Sequence, residues 1–223
     1  KIDGKGKKTK LSTRTGSNSA IFSTNQKYYI NTFSNISTPT LITLNDNRGK
    51  ELTTLLDNSK LKAQTAQLNM PQKEFFTFRT SSGVELNGWM MKRANFNANK
   101  KYPVILHQYS GPGSQQVIDR WGIGSFGDGG LFEAYMCDKG YIMVCVDGRG
   151  TGGRGAAFEK CTYLQLGVKE AEDQVETARY LGTLPYIDGK RIGIWGWSFG
   201  GYNTLMSMSD GSGAFKAGVA IAA

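Results

Sequence analysis

An apolar run at 190–195 stops at Gly196-Trp197-Ser198-Phe199-Gly200, and a stretch of helical composition begins close behind it at 202–209. This G-x-S-x-G pattern constrains the fold more than any other part of the chain. In a sequence with 29 glycines the five letters alone are weak evidence, but a strand before them and a helix after them form the setting of a nucleophile elbow. The turn is so tight that a side chain two residues to either side of the serine would strike the neighbouring strand or helix. Ser198 is thereby pushed out at the C-terminal edge of a sheet. The helix N-terminus behind it favours developing negative charge.

Residues 72–223 carry the same rhythm throughout. Runs at 74–79 and 85–91 read as an antiparallel pair around the turn 81–83. Strands are expected at 102–109, 141–146, 190–195 and 217–222, and helices at 130–139, 168–184 and 202–209. The run 141–146 is apolar on both faces, as a central parallel strand is. Val168, Ala171, Val175, Ala178 and Leu181 repeat at helical spacing. The fold class expected is α/β, a mostly parallel sheet with helices on both faces.

Residues 1–57 differ in texture. Short β-rich runs at 19–23, 27–33, 40–44 and 51–56 are separated by Ser, Asn and Gly turns, one of them at 46–49. Four such strands form a meander that is marginal alone, so the segment reads as one unit of something larger, such as a propeller blade. No second copy occurs in the chain. Residues 58–71 read as a linker, helical around 61–67. The domain division expected is 1–66, a last blade with its linker, and 67–223, a hydrolase-like domain ending after the elbow helix and the next strand.

Charge is uneven. The formal net charge is +9, and residues 1–66 hold eleven Lys and Arg against four Asp and Glu. Lys1, Lys5, Lys7, Lys8, Lys10 and Arg14 supply most of the excess. No aromatic residues interleave with them to stack on bases, so they read as a solvated strand edge and no nucleic-acid partner is expected. Cys137, Cys145 and Cys161 form no CxxC, which removes support for zinc or thioredoxin chemistry. Cys145 reads as a small buried hydrophobe. No apolar run approaches the ~20 residues of a membrane helix.

Three motifs then occur in order: Gln108-Tyr-Ser-Gly-Pro112, Asp147-Gly-Arg-Gly-Thr-Gly152 and Gly196-Trp-Ser-Phe-Gly-Gly-Tyr202. Together they resemble the prolyl oligopeptidase family of serine peptidases. The tryptophan within the elbow and Glu170-Ala-Glu-Asp-Gln174 resemble its dipeptidyl peptidase IV branch. The likeness is dense over 100–223 and loose over 1–70. It implies an α/β-hydrolase domain preceded by part of a β-propeller, and an exopeptidase that removes N-terminal dipeptides with proline preferred second. It further implies Ser198 as nucleophile, with the Tyr109 hydroxyl and the Phe199 backbone N–H as oxyanion donors. Gly196, Trp197, Gly200, Gly201, Asp147 and Arg149 become structural residues near the site. Position 199 is often tyrosine in relatives, but only its amide is needed. No metal or organic cofactor is implied. The partners implied are peptide substrates, the rest of a propeller, a C-terminal hydrolase segment, and in the complete protein a second copy. The location implied is periplasmic or secreted.

In the α/β-hydrolase order an acid and a histidine follow the serine. After Ser198 there is one acid, Asp210, and no histidine. The single histidine, His107, lies upstream in a strand and reads as a structural residue with a satisfied hydrogen bond. Without a base a serine hydroxyl is a poor nucleophile. The chain, which opens on Lys, is therefore expected to be a fragment, inactive by itself. The glutamates that hold the substrate N-terminus in this family also belong to a missing part of the propeller.

Rival readings remain. Gly148-Arg-Gly-Thr-Gly-Gly153 fits G-x-G-x-x-G after a strand, with Asp173 at the dinucleotide spacing. Asp173 falls inside a helical pattern, however, where it cannot reach a ribose. A second match, 122–127, follows no strand, and the glycine-rich 122–130 reads as a variable loop. An esterase or acyl-peptide hydrolase with the same elbow is a further alternative, as is a non-catalytic pseudoenzyme.

Overall fold

The computed structural model describes residues 1–68, 70–122, 124–125, 130–210 and 212–223. Most of the glycine-rich 122–130 stretch, including half of the second G-x-G-x-x-G match, thus lies outside the described residues. Two compact units make up the chain, Lys1–Met70 with Ile118–Ile123, and Pro71–Val117 with Gly124–Ala223.

The first unit is an antiparallel sheet in the order β1 (Ser17–Phe22), β2 (Tyr28–Asn35), β3 (Thr38–Asp46), β4 (Glu51–Leu56). Asp46 ends β3, where its carboxylate accepts the N–H of Arg48 and of Lys50 and so builds the turn into β4. A nine-residue helix, α1 (Ser59–Gln67), follows and buries none of its residues. The segment from 118 pins itself to this sheet. Asp119 accepts the N–H of Ser17 on its carbonyl and that of Ile36 on its carboxylate. The lysine-rich start is not a strand edge: before β1 the chain makes a single isolated bridge, Ile2 to Lys8. Arg14 is paired to Glu51 at 2.9 Å.

The second unit holds β5 (Lys73–Arg79), β6 (Glu85–Met91), β7 (Tyr102–His107), α2 (Leu131–Asp138), β8 (Ile142–Asp147), α3 (Ala156–Lys160), α4 (Val168–Thr183), β9 (Ile187–Trp197), α5 (Phe199–Met208) and β10 (Ala217–Ile221). The strand order is β10-β9-β7-β8-β6-β5. The pairs β10–β9, β9–β7 and β7–β8 are parallel, and β8–β6 and β6–β5 are antiparallel. All six residues of β8 are buried, as a strand covered on both faces requires.

Alternation along the strands sends side chains to two cores. Leu86, Val104, Leu106, Val144 and Ile194 pack with Val175, Ala178 and Leu181 of α4 on one face. Trp89, Met143 and Cys145 pack with Cys137, Phe132 and Met136 of α2 on the other. Helices on both faces of a largely parallel sheet are the architecture expected. Val168, counted in the apolar stripe, is exposed at the helix start. The short α3 was not anticipated. Among the described residues, no helix is long and apolar enough to cross a membrane.

Candidate active site

Parallel β7, β8 and β9 all end at one edge of the sheet, and the loops that leave them meet there. In open α/β sheets this edge is where ligands bind. The loop after β7 carries Tyr109, that after β8 carries Arg149, and β9 runs directly into Ser198.

Ser198 has φ +56° and ψ −120°, a backbone conformation that few non-glycine residues adopt. It is held there from both sides. Its N–H donates to the carbonyl of Ile221 in β10 at 2.9 Å, and its carbonyl accepts from Tyr202 at 3.0 Å as α5 begins. The side chain is exposed. The flanking glycines are required by close approach. A Cβ on Gly196 would lie 2.5 Å from the carbonyl oxygens of Gln108 and Gly200, and one on Gly200 would lie 2.5 Å from that of Gln108. One on Gly201 would lie 2.6 Å from the carbonyl oxygen of Ile221. Trp197, half-exposed, stands beside the serine on its strand side.

Phe199 is the first residue of α5, so its N–H has no acceptor within the helix. Its ring centroid lies 6.4 Å from that of Tyr109, so the two residues expected to supply oxyanion donors are neighbours. Tyr109 is half-buried, lies just past the end of β7, and has the backbone of Gly111 against its ring.

The loop after β8 braces the loop after β7. Gly113 donates its N–H to Gly150 at 3.0 Å, and Gly152 donates to Ser114 at 2.8 Å. The Asp147 carboxylate accepts the N–H of Gln116 (2.9 Å) and of Val117 (2.7 Å). Burial nevertheless pushes its pKa up to about 6, the two N–H donors opposing the shift. Arg149 makes a forked pair with the fully buried Asp173 at 2.7–3.1 Å and also reaches Glu172 at 2.9 Å. The Asp173 carboxylate also accepts the Arg149 backbone N–H at 2.7 Å. With its oxygens so occupied, Asp173 cannot hold a ribose, and the dinucleotide reading falls.

His107 lies in β7 on the α2 face, tilted against Trp195 with ring centroids 4.8 Å apart. Burial lowers its pKa to about 4. The satisfied hydrogen bond expected of it is absent at one nitrogen, because the buried Nδ1 has no hydrogen-bond partner among the described residues. A hydrophobic sheet face supplies no acceptor, so a neutral imidazole is the form this site tolerates. Asp210 is exposed beyond α5, its carboxylate accepting from the N–H and hydroxyl of Ser212. Among the described residues, no cluster of His, Cys, Asp and Glu could hold a metal ion.

Sequence reasoning did not single out Gln108, Asn203 and Thr204, all fully buried or nearly so at this junction. The signal that could have found them is polarity in the wrong place. A glutamine at the end of an apolar strand and an asparagine on the inner side of the elbow helix each demand a partner.

The fold and site define a class: an α/β-hydrolase with a serine on its elbow. The comparisons then show what the chain is similar to. Residues 131–223 match the prolyl oligopeptidase family, the one the motifs resemble. The chain is 39% identical over 204 residues to the probable dipeptidyl peptidase 4 of Aspergillus flavus, a match that takes in 90% of this chain and 26% of that protein. It is 37% identical over 207 residues to the probable dipeptidyl-aminopeptidase B of Pyrenophora teres, covering 91% of this chain and 22% of that protein. Its structure superposes on Porphyromonas gingivalis dipeptidyl peptidase 4 with a TM-score of 0.92 and 51% identity, over 98% of this chain and 30% of that one. The chain thus spans about a quarter of the length of these curated relatives.

Proposed function

We propose that this chain is the nucleophile-bearing part of a serine dipeptidyl exopeptidase that prefers proline as the second residue. The observation that carries the reading is the elbow. An exposed serine at φ +56° stands where three parallel strands end, and Tyr109 and Phe199, the residues we take as oxyanion donors, are neighbours there. The identity to relatives named dipeptidyl peptidase 4 supports the reaction class.

In this mechanism Ser198 Oγ attacks the carbonyl after the second residue while a base takes its proton. The Tyr109 hydroxyl and the Phe199 N–H receive the oxyanion, the amine leaves with a proton, and water releases the dipeptide. His107 does not serve as the base. It is buried, points into the α2 face and sheds its proton near pH 4, well below the range that suits a general base at neutral pH. We assign the base and its acid to residues outside this chain, and read residues 1–66 as a last propeller blade and 67–223 as part of the hydrolase domain. A periplasmic or extracellular location fits this reading.

The test is hydrolysis of a Gly-Pro chromogenic amide by the protein that carries this chain, beside a short acyl ester. Release from the amide, and none from the 223-residue chain alone, is the expected result. Ester hydrolysis with an intact amide would support the esterase alternative, and neither activity would leave a pseudoenzyme.

A further inference from the structure

The two expected oxyanion donors come from different elements, one just past β7 and one at the start of α5, and one buried side chain spans the gap between their neighbours. Gln108 precedes Tyr109, and Gly200 follows Phe199. The Gln108 Nε2 donates to the carbonyl of Gly200 at 2.6 Å and to Thr204 Oγ1 at 3.0 Å. Thr204 Oγ1 donates in turn to the same Gly200 carbonyl at 2.8 Å. Asn203 Nδ2 donates to Gln108 Oε1 at 3.0 Å. The main chain of Gln108 is fixed as well. Its N–H donates to Trp195 at 3.1 Å, and its carbonyl oxygen fits the space left open by Gly196 and Gly200.

We propose that Gln108, with Asn203 and Thr204, is a positioning clamp that sets the separation of the Tyr109 hydroxyl and the Phe199 N–H. The proposal rests on the peptidase reading given above.

Two features favour a positioning role over a stabilising one. Gln108 and Asn203 are both wholly buried, where an apolar pair of like volume would lose no solvation. The network is also incomplete, since Asn203 Oδ1 has no hydrogen-bond partner among the described residues. A partly satisfied buried network is a poor way to gain stability. It is a good way to fix one geometry, because the planar amide of Gln108 holds the first turn of α5 from the end of β7. The α5 carbonyl it holds belongs to the residue after the donor amide, so a shift of the helix start moves the donor with it. Oxyanion stabilisation depends on donors placed before charge develops. Gln108 itself has no exposed surface and touches no substrate.

The experiment is a double-mutant cycle in the protein that carries this chain, using Gln108→Met and Tyr109→Phe. Kinetics are read per active site titrated with a fluorophosphonate. Gln108→Met is expected to lower kcat about 10- to 100-fold, as misplacement of a catalytic group by an ångström does, with KM within about twofold. In the Tyr109→Phe background the further loss should shrink, since one of the two donors being aligned is gone. An unchanged kcat per titrated site, or the same loss in both backgrounds, overturns the clamp.

Hydrogen exchange of peptides spanning 107–110 and 198–204 gives a readout free of catalysis. Both are expected to exchange faster in Gln108→Met, with the core peptide 142–147 unchanged. If the parent protein neither reacts with the fluorophosphonate nor turns over, the peptidase reading fails, and exchange alone decides the clamp. Uniformly faster exchange, or none, overturns it.

Discussion

In the first unit β2 buries Tyr29, Phe33 and Ser34, and every residue of β4 is exposed, including Leu52, Leu55 and Leu56. In the second unit every residue of β8 is buried, and its sheet has a core on each face. Burial of apolar surface is the main favourable contribution to folding, at about 25 cal/mol per Å². The two sheets therefore stand on different footings. The second draws its stability from its own side chains, and the same packing holds the strand ends where Ser198 and Tyr109 sit. The first leaves the apolar side chains of β4 uncovered. A catalytic constellation needs rigid support, and only the second sheet is built to give it.

Substitutions can break or sharpen this contrast. The largest effect is expected at the elbow. Ser198→Ala should lower kcat on a Gly-Pro amide by on the order of 10⁶, as loss of a nucleophilic serine does, while thermal unfolding stays close to that of the parent. Tyr109→Phe should cost about 10²–10³ in kcat, the range for one oxyanion donor. Steady-state kinetics checks both, and an unchanged kcat in Tyr109→Phe would remove that hydroxyl from the mechanism.

Next comes a pH effect confined to the second unit. Asp147 has its pKa raised from 3.8 to about 6 by burial. Between those values the folded state binds more protons than the unfolded, so stability falls as pH rises through the window. His107 has its pKa lowered from 6.5 to about 4. There the unfolded state binds more protons, so stability rises with pH over nearly the same window. Each contributes on the order of 3 kcal/mol, and the two slopes oppose. Asp147→Asn should leave a Tm that climbs from pH 4 to 6, and His107→Phe one that declines. Parallel profiles in the two variants would contradict the assignment.

The smallest effect is expected in the first unit. Arg14 and Glu51 form a partly exposed pair, and such pairs contribute about 0–1 kcal/mol. Arg14→Ala should barely move Tm and leave kcat unchanged. A loss of several degrees would mean that the first sheet is more tightly built than its exposure implies.

The elements most open to sequence reading were those with one clear period. Alternation and turns outlined the four-stranded meander, and α4 followed from its apolar stripe. Departures have identifiable causes. β9 runs from Ile187, not 190, because Asp188-Gly189-Lys190 breaks the apolar pattern while the backbone still reaches β7 at Tyr102. α5 begins at Phe199, three residues earlier than expected, because Gly200 and Gly201 have poor helix propensity. Packing overrides that propensity, since only glycine fits against Gln108 and Ile221. The five residues of α3 are too few to display a period.

At the site, the turn at the serine and its glycines were legible because a tight strand-to-helix turn restricts residue type locally, whereas Tyr109 was expected from its place after an earlier strand and from the family resemblance. The Arg149–Asp173 pair was not, as its members are 24 residues apart and their spacing imitated a dinucleotide motif. The Gln108 clamp was hidden for the same reason, with its partners 92 to 96 positions away.

By itself, then, the sequence determined the parts whose constraints are local: the period of each strand and helix, the turn that holds Ser198, and the motifs that mark the family. Tertiary structure decided which buried polar groups answer one another. Folding brings Gln108 to Gly200, Asp173 to Arg149 and Asp147 to Gln116, and among the described residues it leaves His107 Nδ1 without a hydrogen-bond partner. The physical reason is that a buried hydrogen bond or charge is settled by distance in space and by the dielectric around it, and neither is written in the spacing of residues along a chain.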